Sequence, residues 1–401
     1  MSKTTMSGVL EKGVCFYGPK VGGVFLGEVP GGAQLQTALL ARALSDRGIR
    51  AVIVDPFAEK SRSIEPLLEV VAIPEWRRGI RGLRFLTHRI PGVLRAMRRS
   101  GAAVFYARGF SFLYLLPLAA AWMTGGWFVL AAASDLDLLG FRERCTVNYR
   151  SRRNPWEWIS TIIPNELFQP ILLRRADILL VQHELQAAQA PRRKGPVIIC
   201  GNIVADDVFL VKKRRKRPVA ILVGTLSTHK GLDVMREVVD ALPDVQFEFV
   251  GRVTDAEGRR IHAELNRRPN VALLGPLPRR ETLERIASSK VLINTSPYEG
   301  FPNTFLEAWA IGTPVISLHI DPGGVIQKHG LGYVCDGDRQ RMIALLSQDS
   351  YDVDQRVVQR YLHQRHTKEA TSSVFLDLLS RFEKSLNTGP QPIVNCQSVD
   401  D

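Results

Sequence analysis

Short apolar runs recur along this chain, each bounded by Gly, Pro or a polar loop, and residues between them show helical spacing. In the first half the runs fall at 14–17, 51–54, 104–106, 128–132, 178–181 and 197–199, with a helix predicted over 33–44. A second series follows at 219–223, 247–250, 271–274, 291–293, 315–317 and 333–334. Strands alternating with helices imply βαβ units and parallel sheets. The pattern therefore predicts an α/β protein with two Rossmann-like domains, 1–203 and 204–386, joined by a linker near 203–217. A length of 401 residues also favours two cores over one. Residues 387–401 lack periodicity and are expected to be a disordered tail.

One stretch, 109–134, contains no charged residue and is long enough to span a bilayer. Pro117 and the pair Gly125–Gly126 break it, and Asp135 and Asp137 follow at once. A buried helix, a turn and a core strand fit this pattern better than a membrane span.

The composition, 45% hydrophobic and 23% charged, is that of a soluble globular protein. The five cysteines are scattered without paired spacing, which points to a reducing cytoplasm and away from a disulfide framework. No His or Cys spacing supports a metal site. The first 13 residues are polar, so no cleaved leader is expected.

The net charge of +13 is unevenly placed: residues 1–201 hold 27 Lys and Arg against 15 Asp and Glu, the remainder 26 against 25. Such a basic half suits an anionic membrane, a nucleic acid or an acidic substrate. Residues 76–100 interleave eight Arg with Leu83, Phe85, Leu86, Ile90, Val93, Leu94 and Met97. That mixture fits a pair of helices, divided at Pro91, lying on an anionic membrane. An ordinary surface helix packing its apolar stripe on the core is the competing reading. The basic run at 212–218 is expected to be a solvated linker. No helix-turn-helix, zinc-finger or aromatic-basic pattern accompanies it, so nucleic acid is not an expected partner.

Residues 291–317, VLINTSPYEGFPNTFLEAWAIGTPVIS, are the most informative. A buried strand leads into a loop with Glu299 and Gly300. A helix from about Asn303 to Ala310 then carries Glu307 and stops at Gly312. One carboxylate thus lies beyond a strand end and the other one turn inside the next helix. Ligands of open parallel sheets bind in that crevice, and a helix start favours a phosphate. Glu307 can accept hydrogen bonds from two vicinal hydroxyls of a ribose, and Glu299 from a second polyol. The strand at 219–223 ends at Gly224–Thr225, with Lys230–Gly231 before the next helix; a Lys there can stabilise a departing diphosphate.

These motifs resemble the retaining glycosyltransferases of GT-B fold, family 4, over nearly the whole chain. The Glu299…Glu307 pattern within YEGFPNTFLEAWAIGTPVI is the most specific part. The resemblance implies two facing Rossmann-like domains with parallel sheets and a cleft between them. It gives Glu307 the ribose, Glu299 and the segment Gly300, Phe301, Pro302, Asn303 and Thr304 the donor sugar, and Lys230 the diphosphate. Gly224 and Thr225 would line the donor site, and Gly275 and Leu277 would lie near the base. Gly31 and Gly32 would lie beside the diphosphate and acceptor, with Asp135 facing acceptor hydroxyls. Asn202 resembles the family's hinge residue, and the helices at 352–386 those that return to the first domain. Two departures stand out. Thr225 occupies a position where the family usually has Arg, and AAASDLD (131–137) lacks a customary His.

The implied reaction transfers a sugar with retention from a UDP- or GDP-sugar to a saccharide or lipid-linked acceptor in bacterial surface polysaccharide synthesis. No separate cofactor or metal is implied. The expected location is cytoplasmic, at the inner face of the plasma membrane. A GT-B sugar-nucleotide epimerase and a non-catalytic sugar-nucleotide-binding protein are the alternatives.

Overall fold

The computed structural model describes residues 11–28, 31–80, 83–148, 155–212 and 216–388, with side chains at all of these except 145–148 and 381–388. The chain divides into two compact units. The first comprises Met1–Cys145, Tyr149–Ile203 and Lys368–Asp401; the second comprises Val204–Thr367 with Thr146–Asn148. The helix Gln355–Arg365 thus counts with the second unit and the helix Lys368–Thr388 with the first. The expected tail lies outside the described residues from 389 onward, as do 213–215 of the basic linker and Arg81 of the Arg-rich segment.

The first unit holds an eight-stranded sheet built from β1 (Val14–Tyr17), β2 (Ala51–Asp55), β3 (Arg62–Glu65), β4 (Leu68–Ala72), β5 (Val104–Arg108), β6 (Trp127–Ala131), β7 (Ile178–Val181) and β8 (Val197–Ile199). Its order is β3-β4-β2-β1-β5-β6-β7-β8, and all neighbours are parallel except β3 with β4. Continuous apolar runs suit a sheet covered on both faces. In β1, Val14 and Phe16 enter one core with Ala41 and Leu44 of the helix Gly32–Ser45, while Cys15 and Tyr17 enter another with Val93 and Met97.

The hairpin β3–β4 was not predicted. Its edge strand is polar and half-buried, with Arg62, Ser63 and Glu65 among its four residues, so it carries no apolar run. The stretch 109–134 folds as expected into the helix Leu115–Thr124, a turn at Gly125 and β6. Among the described residues no helix is long and apolar enough to cross a membrane.

The Arg-rich segment departs from expectation. Pro91 does not divide two helices; it sits in the first turn of the helix Ile90–Arg99, directly after a π-helical turn at Phe85–Arg89. A first-turn N–H has no intrahelical partner, so proline is tolerated there. Val93 and Met97 are buried, so much of this helix's apolar side faces the core.

The second unit holds an all-parallel sheet of six strands: β9 (Arg217–Val223), β10 (Gln246–Val250), β11 (Val271–Gly275), β12 (Ser289–Asn294), β13 (Val315–Ser317) and β14 (Tyr333–Val334). The order β11-β10-β9-β12-β13-β14 makes the direction of winding reverse between β9 and β12. Loops leaving these two strands diverge and open a crevice at their carboxyl ends.

Candidate functional site

The two loops at this reversal carry the chemistry. After β9 the chain runs through Gly224 and Thr225, and the Leu226 N–H donates to the Arg252 carbonyl at 2.9 Å. A 3-10 turn, Thr228–Lys230, follows, steadied by Asp255 accepting from the Thr228 N–H at 3.1 Å. Gly231 then passes against the end of β12. Its φ is +73°, and a Cβ there would lie 2.2 Å from the Thr295 carbonyl oxygen. Only glycine admits both the left-handed backbone and this approach. The Thr295 hydroxyl also donates to the Lys230 carbonyl at 3.0 Å. Lys230 is thereby fixed beside the loop after β12, and its Nζ meets Glu299 Oε1 at 2.5 Å.

Beyond Glu299, the chain turns through Gly300 into the helix Asn303–Ile311. Phe301 is 5% exposed and packs on His366, ring centroids 4.7 Å apart, and on Trp309 at 6.1 Å. Its side chain anchors the turn from below, leaving backbone as the part of this residue able to serve a ligand. No side chain caps the helix at Pro302, and Thr304 lies in its first turn. Gly312, at φ +85°, ends the helix in the left-handed conformation.

Glu307 is buried on this helix, and its Oε1 accepts from Arg279 Nη1 at 2.6 Å. Arg279 begins the helix Arg279–Ser288 and also grips Asp207, with Nε at 2.7 Å and Nη2 at 3.1 Å. Burial pushes the Glu307 carboxyl upward, Arg279 pulls it down, Asp207 adds to the rise, and the net direction is up. Burial works to lower the Arg279 pKa, but Asp207 and Glu307 outweigh it and the guanidinium stays charged. Neither Arg279 nor Asp207 was among the expected site residues. Arg279 follows closely on Leu277 at a strand-end turn, a visible position; Asp207 offers no local signal.

Gly275 closes β11 with φ +66°, and Leu277 is half-buried in the turn before Arg279. Gly251, after β10, donates to the Gly275 carbonyl at 2.9 Å. Thr225 is exposed beside Arg252, whose side chain is also exposed. The second unit thus assembles Gly224, Thr225, Lys230, Gly275, Leu277, Glu299, Glu307 and the 300–304 turn along the carboxyl end of one sheet.

The remaining candidates belong to the first unit. Gly31 is the N-cap of the helix that Gly32 begins. Asp135 follows β6, where its Oδ1 meets His183 Nε2 at 3.1 Å and accepts from Gln186 Nε2 at 2.8 Å. His183 is 4% exposed and caps the helix Glu184–Gln189, its Nδ1 taking the Gln186 N–H. With Nδ1 accepting, Nε2 carries the proton and donates to Asp135. Both bonds fall on Oδ1, and the Asp135 side chain stays 28% exposed. Nearby, Asn202 Oδ1 accepts from Arg108 Nη2 at 2.5 Å and Gln182 Nε2 at 2.9 Å. Among the described residues no group of three His, Cys, Asp or Glu is placed to hold a metal ion.

Residues 206–350 match the family model of glycosyl transferases group 1. A curated relative, lipopolysaccharide core biosynthesis glycosyltransferase LpsE of Rhizobium meliloti, is 27% identical over 191 residues, 45% of this chain and 55% of the relative. The chain thus spans about half the length of the curated relative it matches. Sucrose-phosphate synthase from Thermosynechococcus elongatus shares the fold at TM-score 0.66 and 16% identity, over 94% of this chain and 99% of its own. Anabaena HepE, solved in complex with UDP and glucose, does so at TM-score 0.64 and 17% identity, over 92% and 99%. The chain therefore has the GT-B fold, and residues 206–350 of its second unit are similar to glycosyl transferases group 1.

Proposed function

We propose that this chain is a retaining glycosyltransferase that moves a sugar from a UDP- or GDP-sugar to a lipid-linked saccharide acceptor in surface polysaccharide synthesis. The observation carrying this reading is the meeting of Lys230 and Glu299 at 2.5 Å on the two loops of the sheet reversal, inside the matched domain. In the donor complex Lys230 turns from Glu299 to the diphosphate and neutralises the charge that grows as the sugar leaves. Glu299, released, accepts from hydroxyls of the donor sugar. Glu307 takes the ribose hydroxyls, and the helix start at Asn303–Thr304 offers its dipole to the anionic donor. Asp135, held on one oxygen by His183 and Gln186, presents the other to an acceptor hydroxyl. The lipopolysaccharide role in the name of the Rhizobium relative and the UDP bound to HepE support the class of acceptor and donor. The basic first half favours work at the cytoplasmic face of an anionic membrane.

The test is donor turnover by the purified chain. UDP- and GDP-sugars are supplied with and without saccharide acceptors, and nucleotide release and product anomeric configuration are followed. Transfer with retention, reduced about 100-fold or more in Glu299→Ala, is expected. Inversion would overturn the stereochemical claim, and an epimerised donor formed without acceptor would favour an epimerase. Nucleotide binding without any turnover would leave a binding protein.

A further inference from the structure

The helical stretch 155–175 carries an apolar stripe that the core does not use. Ile159, Ile163, Leu167 and Ile171 are 60, 53, 63 and 44% exposed. Their spacing of four sets them along one side of the helix. The other side is the one that packs: Ile162, Leu172 and Leu173 are buried, and Glu166 forms a nearly buried ion pair with Arg144. An ordinary surface helix turns polar residues to water; this one turns out four large aliphatic side chains.

A second segment packs behind this helix. Asn165 Oδ1 accepts the Phe112 N–H at 2.8 Å, and the Phe112 ring lies 6.1 Å from that of Phe85. Phe112 therefore joins the helix to residues 83–89, where Leu83 and Leu86 are 59 and 66% exposed. Arg174 and Arg175 end the helix, three and four positions after Ile171; both are exposed, and neither forms an ion pair among the described residues. Large aliphatic groups and unneutralised guanidinium groups thus share the exposed side of this helix.

We propose that this face docks the protein on an anionic lipid surface. The aliphatic residues enter the boundary between headgroups and acyl chains, and the arginines lie among the headgroups. A second copy of the chain is a poorer occupant, since pairing two such faces sets arginine against arginine, whereas anionic lipid reverses the sign. Docking moves away from the helix Ile90–Arg99, whose Val93 and Met97 are spent on the core. Its place in the reaction rests on the lipid-linked acceptor proposed above; the surface chemistry does not.

The experiment is flotation of the full chain with vesicles of phosphatidylcholine, alone or with phosphatidylglycerol. The chain should float with the anionic vesicles at low salt and be released by high salt. In the double variant Ile163→Ser/Leu167→Ser the bound fraction should fall about tenfold or more, whereas Ile163→Leu/Leu167→Ile should still bind. Unchanged melting curves establish that both variants are folded. No binding, equal binding by the Ser variant, or a wild-type dimer in light scattering that this variant abolishes would each overturn the proposal. Donor turnover measured without lipid separates the two readings. Turnover without vesicle binding defeats the docking alone, and vesicle binding without turnover defeats the transfer reading alone.

Discussion

Glu307 shows how one buried residue depends on partners from other elements. Burial raises its pKa, the Arg279 guanidinium opposes that rise, and Asp207 on a third element adds to it. A ribose needs the ionised carboxylate, because a protonated carboxyl loses acceptor capacity. Nucleotide affinity should therefore fall as pH drops through the Glu307 pKa. Arg279→Met removes the opposing charge and raises that pKa further, so the loss should begin at a higher pH; Arg279→Lys should largely restore the wild-type profile. Calorimetric affinities for UDP and GDP from mildly acidic to neutral pH check this, and an unmoved midpoint would mean that Arg279 does not act on Glu307. The sequence made Lys230, Glu299 and Glu307 visible because each has a fixed place relative to a strand end or helix start. Arg279 and Asp207 escaped because their meeting depends on strand order, which local pattern does not encode. The bonds from His183 and Gln186 to Asp135 were hidden for the same reason.

Most individual elements were legible where burial shaped the sequence. Fully covered strands such as β1, β2 and β7 read as apolar runs, and their observed limits lie close to the predicted ones. The β3–β4 hairpin was missed: β3 is an edge strand and needs no such run, whereas β4 is interior and its Val70–Ala72 run, preceded by Glu69, went unread. Pro91 misled because proline marks either a break or a first turn, and only the preceding π-helical turn decides between them. The turn at Gly231 permits a direct test. Gly231→Ala adds a Cβ in a left-handed backbone against the Thr295 carbonyl, so the Lys230 turn must shift. The left-handed conformation alone costs about 1–2 kcal/mol, and the clash adds to it. The midpoint of denaturant unfolding should fall, and donor turnover should fall by more than the lost stability explains. A variant as stable and active as wild type would show that the close approach does not position Lys230.

At the scale of the whole molecule, two sheets of opposite demands share one chain. Residues 1–201 hold nearly all the excess positive charge and the exposed aliphatic face, whereas residues 202–401 are almost neutral. Composition alone suggested a basic surface of uncertain purpose. The structure shows that large apolar groups lie among its arginines, a fact of helix orientation that the hydrophobic pattern of 155–175 did not disclose. The near-neutral second unit places its charges in pairs around the sheet reversal: Lys230 with Glu299, and Arg279 with Glu307 and Asp207. These pairs are the basis for assigning a sugar nucleotide to that crevice. Calorimetric titration of UDP and GDP into the wild type and Glu307→Ala tests the assignment most directly. The account predicts a single site for one of the two nucleotides, weakened about 10- to 100-fold in Glu307→Ala by loss of charge-assisted hydrogen bonds. Absence of binding to the wild type, or equal affinity in the variant, would contradict it.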